Sequence, residues 1–393
     1  MPDVADAIII GAGIHGTSVA YHLTQRGLRP VILERKTVAS GATGRSSGLV
    51  RMHYDVETDA RLAWCSLSYF RAWPEAIGGE CGFVRTGFLQ LVRKEDVDAL
   101  NRNLDMLRSI GVATDSVSRD DVRDLVPGLL ADDVTIAGWE PDSGYADPTA
   151  TTASLLAAAI GRGATLVQSA PVTAIRANRD RVVGVDTPRG SWDSPIIIDA
   201  AGAWAAQVAD FAGVTIPLQT WRHDVAYVSR PAGVSPHPAI IDFANSCYVR
   251  PEGSGLTLIG LEDGNELGSS PDRGTDAVAA GFVERSAERL CRRFPGFVAG
   301  GLQSAHSGQD GITPDQHPII GPAGPEGFYL DCGFSGTGFK IGPAVGRCLA
   351  ELILDGRSMT VDLRPYRLER FDEGDPVRGA YPYGPIWQES SLD

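Results

Sequence analysis

Two rhythms of apolar positions organise the chain. Ala7–Ile10 is an unbroken apolar run bounded by glycine, Thr17–Arg26 carries apolar residues at helical spacing, and Pro30–Leu33 is apolar again. The spacing predicts strand, helix, strand, the parts of one right-handed βαβ unit. Intervals of three and four residues predict helices over Glu57–Trp73 and Glu95–Ile110, and Ser118 with Asp121 reads as a capping box ahead of a short helix that ends at Pro127. From Asp147, "DPTATTASLLAAAIGRG" supplies an aspartate N-cap, a proline in the first turn and a glycine stop, so another helix is expected.

Beyond that helix the period shortens. Thr165–Gln168, Val172–Arg176, Val182–Asp186 and Ile196–Asp199 read as strands, and Gly202 leads into a short helix. Val225–Ser229, Ile240–Phe243, Ser246–Arg250 and Leu256–Gly260 alternate, which predicts an antiparallel sheet of a second domain, followed by a helix near Thr275–Arg293. "GFYLDCGFSGTGFKIGPAVGRCLAELILDG" then returns to strand, glycine-rich turn and helix. Nucleotide-type segments thus stand at both ends and in the middle, so two interleaved domains are expected. One comprises 1–80, 140–215 and 305–375, the other 81–139 and 216–304. The tail 376–393, with the aromatic "YPYGPIWQESSLD", shows no element.

Composition removes several function classes. Lysine and arginine number 35 against 49 aspartates and glutamates, a net charge of −14 without a basic stripe, so nucleic acid is not an expected partner. Cys65, Cys81, Cys247, Cys291, Cys332 and Cys348 are scattered without zinc spacing, so reduced thiols and no metal site are expected. No basic and apolar leader precedes Ala7, and apolar runs such as Leu155–Ile160 are too short to span a bilayer. A soluble cytoplasmic protein without a membrane partner is expected, its oligomeric state open.

The chemistry begins with Gly11, Gly13 and Gly16, a G-x-G-x-x-G between strand and helix that lets the chain turn tightly and aim backbone N–H groups at a pyrophosphate. Glu34, eighteen positions beyond Gly16, can accept hydrogen bonds from an adenosine ribose, and its charge argues against the 2′-phosphate of NADP. FAD and NAD share this fingerprint. In "ERKTVASGATGRSSGLVRMHYD", Ser40, Thr43, Ser46 and Ser47 offer hydroxyls, while Gly41, Gly44 and Gly48 permit close backbone approach. This stretch either lines the same pyrophosphate or is a surface loop.

The motifs "IIIGAGIHGTSVAYHL", "ERKTVASGATGRSSG", "IIDAAGAWA" and "CGFSGTGFKIGPAVG" together resemble the D-amino-acid-oxidase-type flavoproteins, in the branch of sarcosine oxidase, glycine oxidase and dimethylglycine dehydrogenase. Their order and spacing span nearly the whole chain. The resemblance implies a fold of α/β plus α+β type, a Rossmann-like FAD-binding domain interleaved with an antiparallel-sheet substrate domain. It implies FAD held by Gly11, Gly13, Ile14, His15, Gly16, Glu34 and Arg35, then by Thr43, Gly44, Arg45, Ser46 and Ser47. Val172 would meet the adenine side, with Ala201, Gly202 and Trp204 from the middle motif and Gly336, Thr337, Gly338, Phe339 and Lys340 from the last, which meets the isoalloxazine.

Arg51 and Lys340 fall where the sarcosine oxidases carry the arginine and lysine that hold a substrate carboxylate; without the resemblance each reads as a surface cation. His53, Tyr54, His223 and Tyr248 either shape and titrate the pocket or simply pack. Three departures matter. Gly308 stands where those enzymes link the flavin to a cysteine, and Thr37–Gly48 lacks the linking histidine of dimethylglycine dehydrogenase-like chains, so non-covalent FAD is expected. Thr257 stands in place of a lysine thought to activate oxygen. The implied reaction is oxidation of the C–N bond of an amino acid or secondary amino acid bearing a carboxylate, by hydride transfer to flavin N5, giving an imine that hydrolyses. Electrons pass to O2 or another acceptor. The alternatives are a flavoenzyme oxidising C–O bonds of 2-hydroxy acids and a flavin-binding subunit of a heteromeric complex.

Overall fold

A computed structural model describes residues 3–268, 270–273 and 276–383. Six strands form the first sheet, in the order Thr165–Val167, Pro30–Leu33, Ala7–Ile10, Ile197–Asp199, Phe328–Cys332 and Ile319–Pro322, parallel except for the last pair. The unbroken apolar run of Ala7–Ile10 has its cause here: Ala7 and Ile9 enter one core, Ile8 and Ile10 the core on the opposite face.

The first core contains the helices Ile14–Gln25 and Gly338–Asp355. Gly342 and Gly346, four apart, present a face without side chains to Ile14 and Ser18. A Cβ on Gly346 would lie 2.2 Å from the Ser18 hydroxyl oxygen and 2.6 Å from its carbonyl carbon. The two helices therefore meet at backbone distance, and both of their N-termini face one cavity.

An eight-stranded sheet runs Leu302–Ile312, Gln219–Ser229, Leu256–Leu261, Cys247–Glu252, Ala239–Asp242, Phe88–Leu91, Ile136–Glu140 and Asp115–Ser118. It is antiparallel except where Ala239–Asp242 pairs in parallel with Phe88–Leu91. The strands expected between Val225 and Gly260 do pair antiparallel, and Phe88–Leu91, far away in sequence, joins them in parallel at Ala239–Asp242. Ser118 and Asp121 do form a reciprocal capping box, and Asp147 accepts from the N–H groups of Thr149 and Ala150 at 2.8 and 3.0 Å.

Several boundaries move, and the strand expected over Val225–Ser229 begins at Gln219. The strand expected over Val172–Arg176 is Ala174–Asn178, leaving Val172 in the preceding loop. The helix expected near Thr275–Arg293 is Phe282–Arg293, entered at Gly281 with φ +74°; Thr275 lies outside the described residues, as do Gly384–Asp393 of the aromatic tail. No helix among the described residues is long and apolar enough to cross a membrane.

Candidate active site

The carboxyl ends of the parallel strands open onto a cavity of about 1400 Å³, above the ~300–1,000 Å³ common for small-molecule pockets. Ile10 and Gly11, Leu33 and Glu34, Ala200 to Trp204, and Asp331 and Phe334 line one side at those strand ends. This is where open parallel sheets bind ligands. The eight-stranded sheet supplies the opposite wall through Gln90, His223, Ile241, Tyr248 and Asp310.

At one end, Gly11 adopts φ +110° and lies so near the next strand that a Cβ would stand 2.4 Å from the Ala200 carbonyl oxygen. Gly13 N-caps the first helix without a side-chain hydrogen bond; Thr43 accepts from the Ile14 N–H at 3.1 Å, joining the serine-glycine loop to the helix start. Glu34 accepts from the N–H groups of Ala12 (2.9 Å) and Lys36 (2.7 Å) and still faces the cavity, as do Arg35 and Val172. Arg35 stacks on Trp204, and Asp272 accepts from both; Arg45 pairs with Asp276 at 2.6 Å. Ser46 accepts from the Gly48 N–H, and Ser47 lines the same wall.

Gly16 and Gly44 do not line the cavity. A Cβ would lie 2.0 Å from the Gly11 oxygen or 2.3 Å from the Ala39 oxygen, so each glycine lets two chain segments touch.

The helix Gly338–Asp355 starts at Thr337 with no acidic residue in its first turn, and Gly336, Thr337, Gly338, Phe339 and Lys340 all line the cavity. His15 stacks on Phe334 with centroids 3.6 Å apart, and its Nε2 lies 3.1 Å from the Gly338 carbonyl. Both helix starts thus offer partial positive charge to one space. Neither oxygen of buried Asp331 meets a hydrogen-bond partner among the described residues, its Oδ1 lying 3.4 Å from His15 Nδ1.

The other end is cationic and aromatic. Arg51 lies 4.4 Å from the Tyr54 ring centroid and donates to the His53 carbonyl; the Lys340 ammonium lies 5.7 Å from the same centroid and 3.4 Å from the Thr337 carbonyl. Neither cation has a carboxylate within ion-pair distance among the described residues. Burial, then the Arg51 charge, holds the Lys340 ammonium well below its ordinary range. His53 is lowered to about 3 by burial and Arg51, so its ring is neutral, and burial raises the Tyr54 phenol. His223 bonds the Tyr248 hydroxyl at 2.7 Å; burial lowers this histidine to about 4.

Sequence reasoning missed three features. Glu262, just past the strand Leu256–Leu261, faces the cavity, and burial raises it to about 7 while Arg51 and Lys340 hold it down. Asp59 lies 2.9 Å from His317 and accepts from Tyr366; against burial, Asp59 holds His317 above its usual value. Tyr383 reaches the cavity from the tail. Nothing periodic marks Glu262 or Tyr383. Thr257 turns away into the sheet, where it bonds His237 at 3.0 Å.

A glycine cradle and paired helix starts facing one chamber that also holds Arg51 and Lys340 have the form of a dinucleotide site. The chain belongs to the DAO family of FAD dependent oxidoreductases, whose model matches residues 6–352. It is 31% identical to the mitochondrial sarcosine dehydrogenase of Homo sapiens over 94% of this chain but 42% of that protein, and so spans less than half of that relative's length. It is 26% identical to the glycine oxidase of Geobacillus kaustophilus, covering 93% of this chain and 97% of that one. Among solved structures, L-proline dehydrogenase from P. horikoshii superposes with a TM-score of 0.88 at 26% identity, over 96% of this chain and all of the other.

The cofactor is FAD, and the residues fit it. The Gly11 and Gly13 cradle admits a pyrophosphate at backbone distance, two helix starts stand ready for negative charge, and Asp331 Oδ2 offers an acceptor to a hydroxyl donor.

Proposed function

We propose that the protein oxidises the C–N bond of an amino acid or N-substituted amino acid, with its FAD bound non-covalently. The observation that carries this reading is the grouping of Arg51, Lys340 and Glu262 at one end of the cavity. FAD, when bound, supplies the hydride acceptor, and water hydrolyses the resulting imine.

In this reading Arg51 grips the substrate carboxylate through its planar guanidinium, and Lys340 adds a second positive charge. A carboxylate entering beside Lys340 favours its protonated form, which desolvation opposes in the free protein. Tyr54 fixes the guanidinium plane by stacking beneath it. The substrate enters as a zwitterion, and its nitrogen must lose a proton before C–H cleavage. Glu262 is the carboxylate placed to take that proton, since it faces both cations and holds protons near neutrality. Tyr248 and His223 form the neutral wall opposite.

Non-covalent attachment is supported by the positions of the six cysteines, none of which lines the cavity, and by Gly308, which does. Acid denaturation should therefore release all yellow colour from the pellet. For the reaction, amines and 2-hydroxy acids with matched side chains are mixed anaerobically with the holoprotein. Bleaching by the amines is expected; bleaching by hydroxy acids alone would reverse the assignment.

A further inference from the structure

We propose that Tyr383 sets substrate size, forming the wall of the substrate chamber beside Arg51. The proposal rests on reading that chamber as a carboxylate site. Tyr383 lies 31 residues beyond the last position matched by the family model.

The path to the cavity is anchored throughout. Arg370, fully buried, forks onto Asp315 with bonds of 2.8 and 2.9 Å, and Asp315 also accepts from the Val377 N–H at 2.9 Å. Gly379 then passes Asp55 so closely that a Cβ would lie 2.5 Å from a carboxylate oxygen. The Tyr381 carbonyl accepts from Asn103 at 2.9 Å, and two residues later the Tyr383 hydroxyl meets His53 Nε2 at 2.6 Å. The Tyr383 ring packs edge-on to Phe243, with centroids 5.2 Å apart.

His53 joins the two functions. Its backbone carbonyl accepts from Arg51, while its ring holds Tyr383, so the wall stands next to the cation that would grip a carboxylate. Both ring partners are uncharged: His53 is neutral, and burial keeps the Tyr383 phenol protonated. What Tyr383 brings to the chamber is therefore volume and shape.

The test uses FAD-loaded Tyr383→Ala and Tyr383→Phe beside the parent, with flavin content and Tm checked in each. Acetate and benzoate are titrated against the flavin absorbance, and kcat/KM is measured for glycine, sarcosine and N-benzylglycine. Tyr383→Ala should shift the benzoate-to-acetate affinity ratio, and the matching kcat/KM ratio, about tenfold or more toward the bulky ligand. Tyr383→Phe, which keeps the ring, should retain the parent ratio. An unchanged ratio in Tyr383→Ala, equal weakening of every ligand, or carboxylates that leave the flavin unperturbed in all three proteins would overturn the proposal. If amines fail to reduce the flavin while the carboxylate ratio still shifts, the reaction assigned above falls and the wall stands.

Discussion

Glu262→Gln offers the sharpest test of the reaction chemistry. Burial raises the Glu262 carboxyl from its ordinary 4.5 to about 7, while Arg51 and Lys340 pull it down and Asp263 pushes it up. A shift of that size corresponds to about 3 kcal/mol against the charged form. If ionised Glu262 accepts the substrate's proton, flavin reduction at saturating amine should rise with pH and level off above about 7. Stopped-flow absorbance under nitrogen, from pH 5 to 9, reads this directly. Glu262→Gln should lose the rising limb and slow by about 10²–10⁴-fold. Arg51 attraction favours the charged carboxylate, so removing it with Arg51→Met should move the midpoint upward. A Gln variant that keeps the parent profile would refute the role.

Other outcomes follow from the same geometry. Arg51→Ala should weaken carboxylate-bearing amines by about 2–5 kcal/mol more than amines lacking the acid, and equal losses would remove Arg51 from the chamber. Glu140, fully buried, accepts from the Met52 N–H and Ser143 while burial raises it to about 7. Its folded value exceeds its unfolded one, so the fold favours the protonated form and stability is lost as pH rises between about 4.5 and 7. Glu140→Gln should escape that loss, gaining up to about 3 kcal/mol on the parent above pH 7 and little below pH 5; a difference in Tm that does not vary with pH would contradict this. Gly346→Ala should cost about 1–3 kcal/mol, because the new Cβ meets the Ser18 backbone at 2.6 Å, and calorimetry showing an unchanged Tm would refute the close contact.

The two ends of the cavity differed in how far they could be read from residue order. The glycine end was legible because its contacts are local: strand, Gly11, Gly13 and helix are consecutive, and the constraint that excludes a Cβ acts within a few residues. Even there, Gly16 and Gly44 proved to serve chain-to-chain contact, since one pattern serves ligand approach and backbone approach alike. The substrate end was legible only through Arg51 and Lys340, which sit inside motifs. Glu262 and Tyr383 carry no spacing signal, for their meaning arises from elements more than 200 residues away from Arg51 in the chain.

The order of residues by itself determined the βαβ opening, the dinucleotide cradle, the capped helices and the family, because each depends on neighbours along the chain. Only the tertiary structure decided that Phe88–Leu91 joins Ala239–Asp242, that Arg35 and Arg45 pair with Asp272 and Asp276, and that the tail returns to His53. The reason is physical: charge, burial and volume at a site depend on distances across space, and Glu262 comes under the influence of Arg51 and Lys340 only when folding brings the three to one cavity.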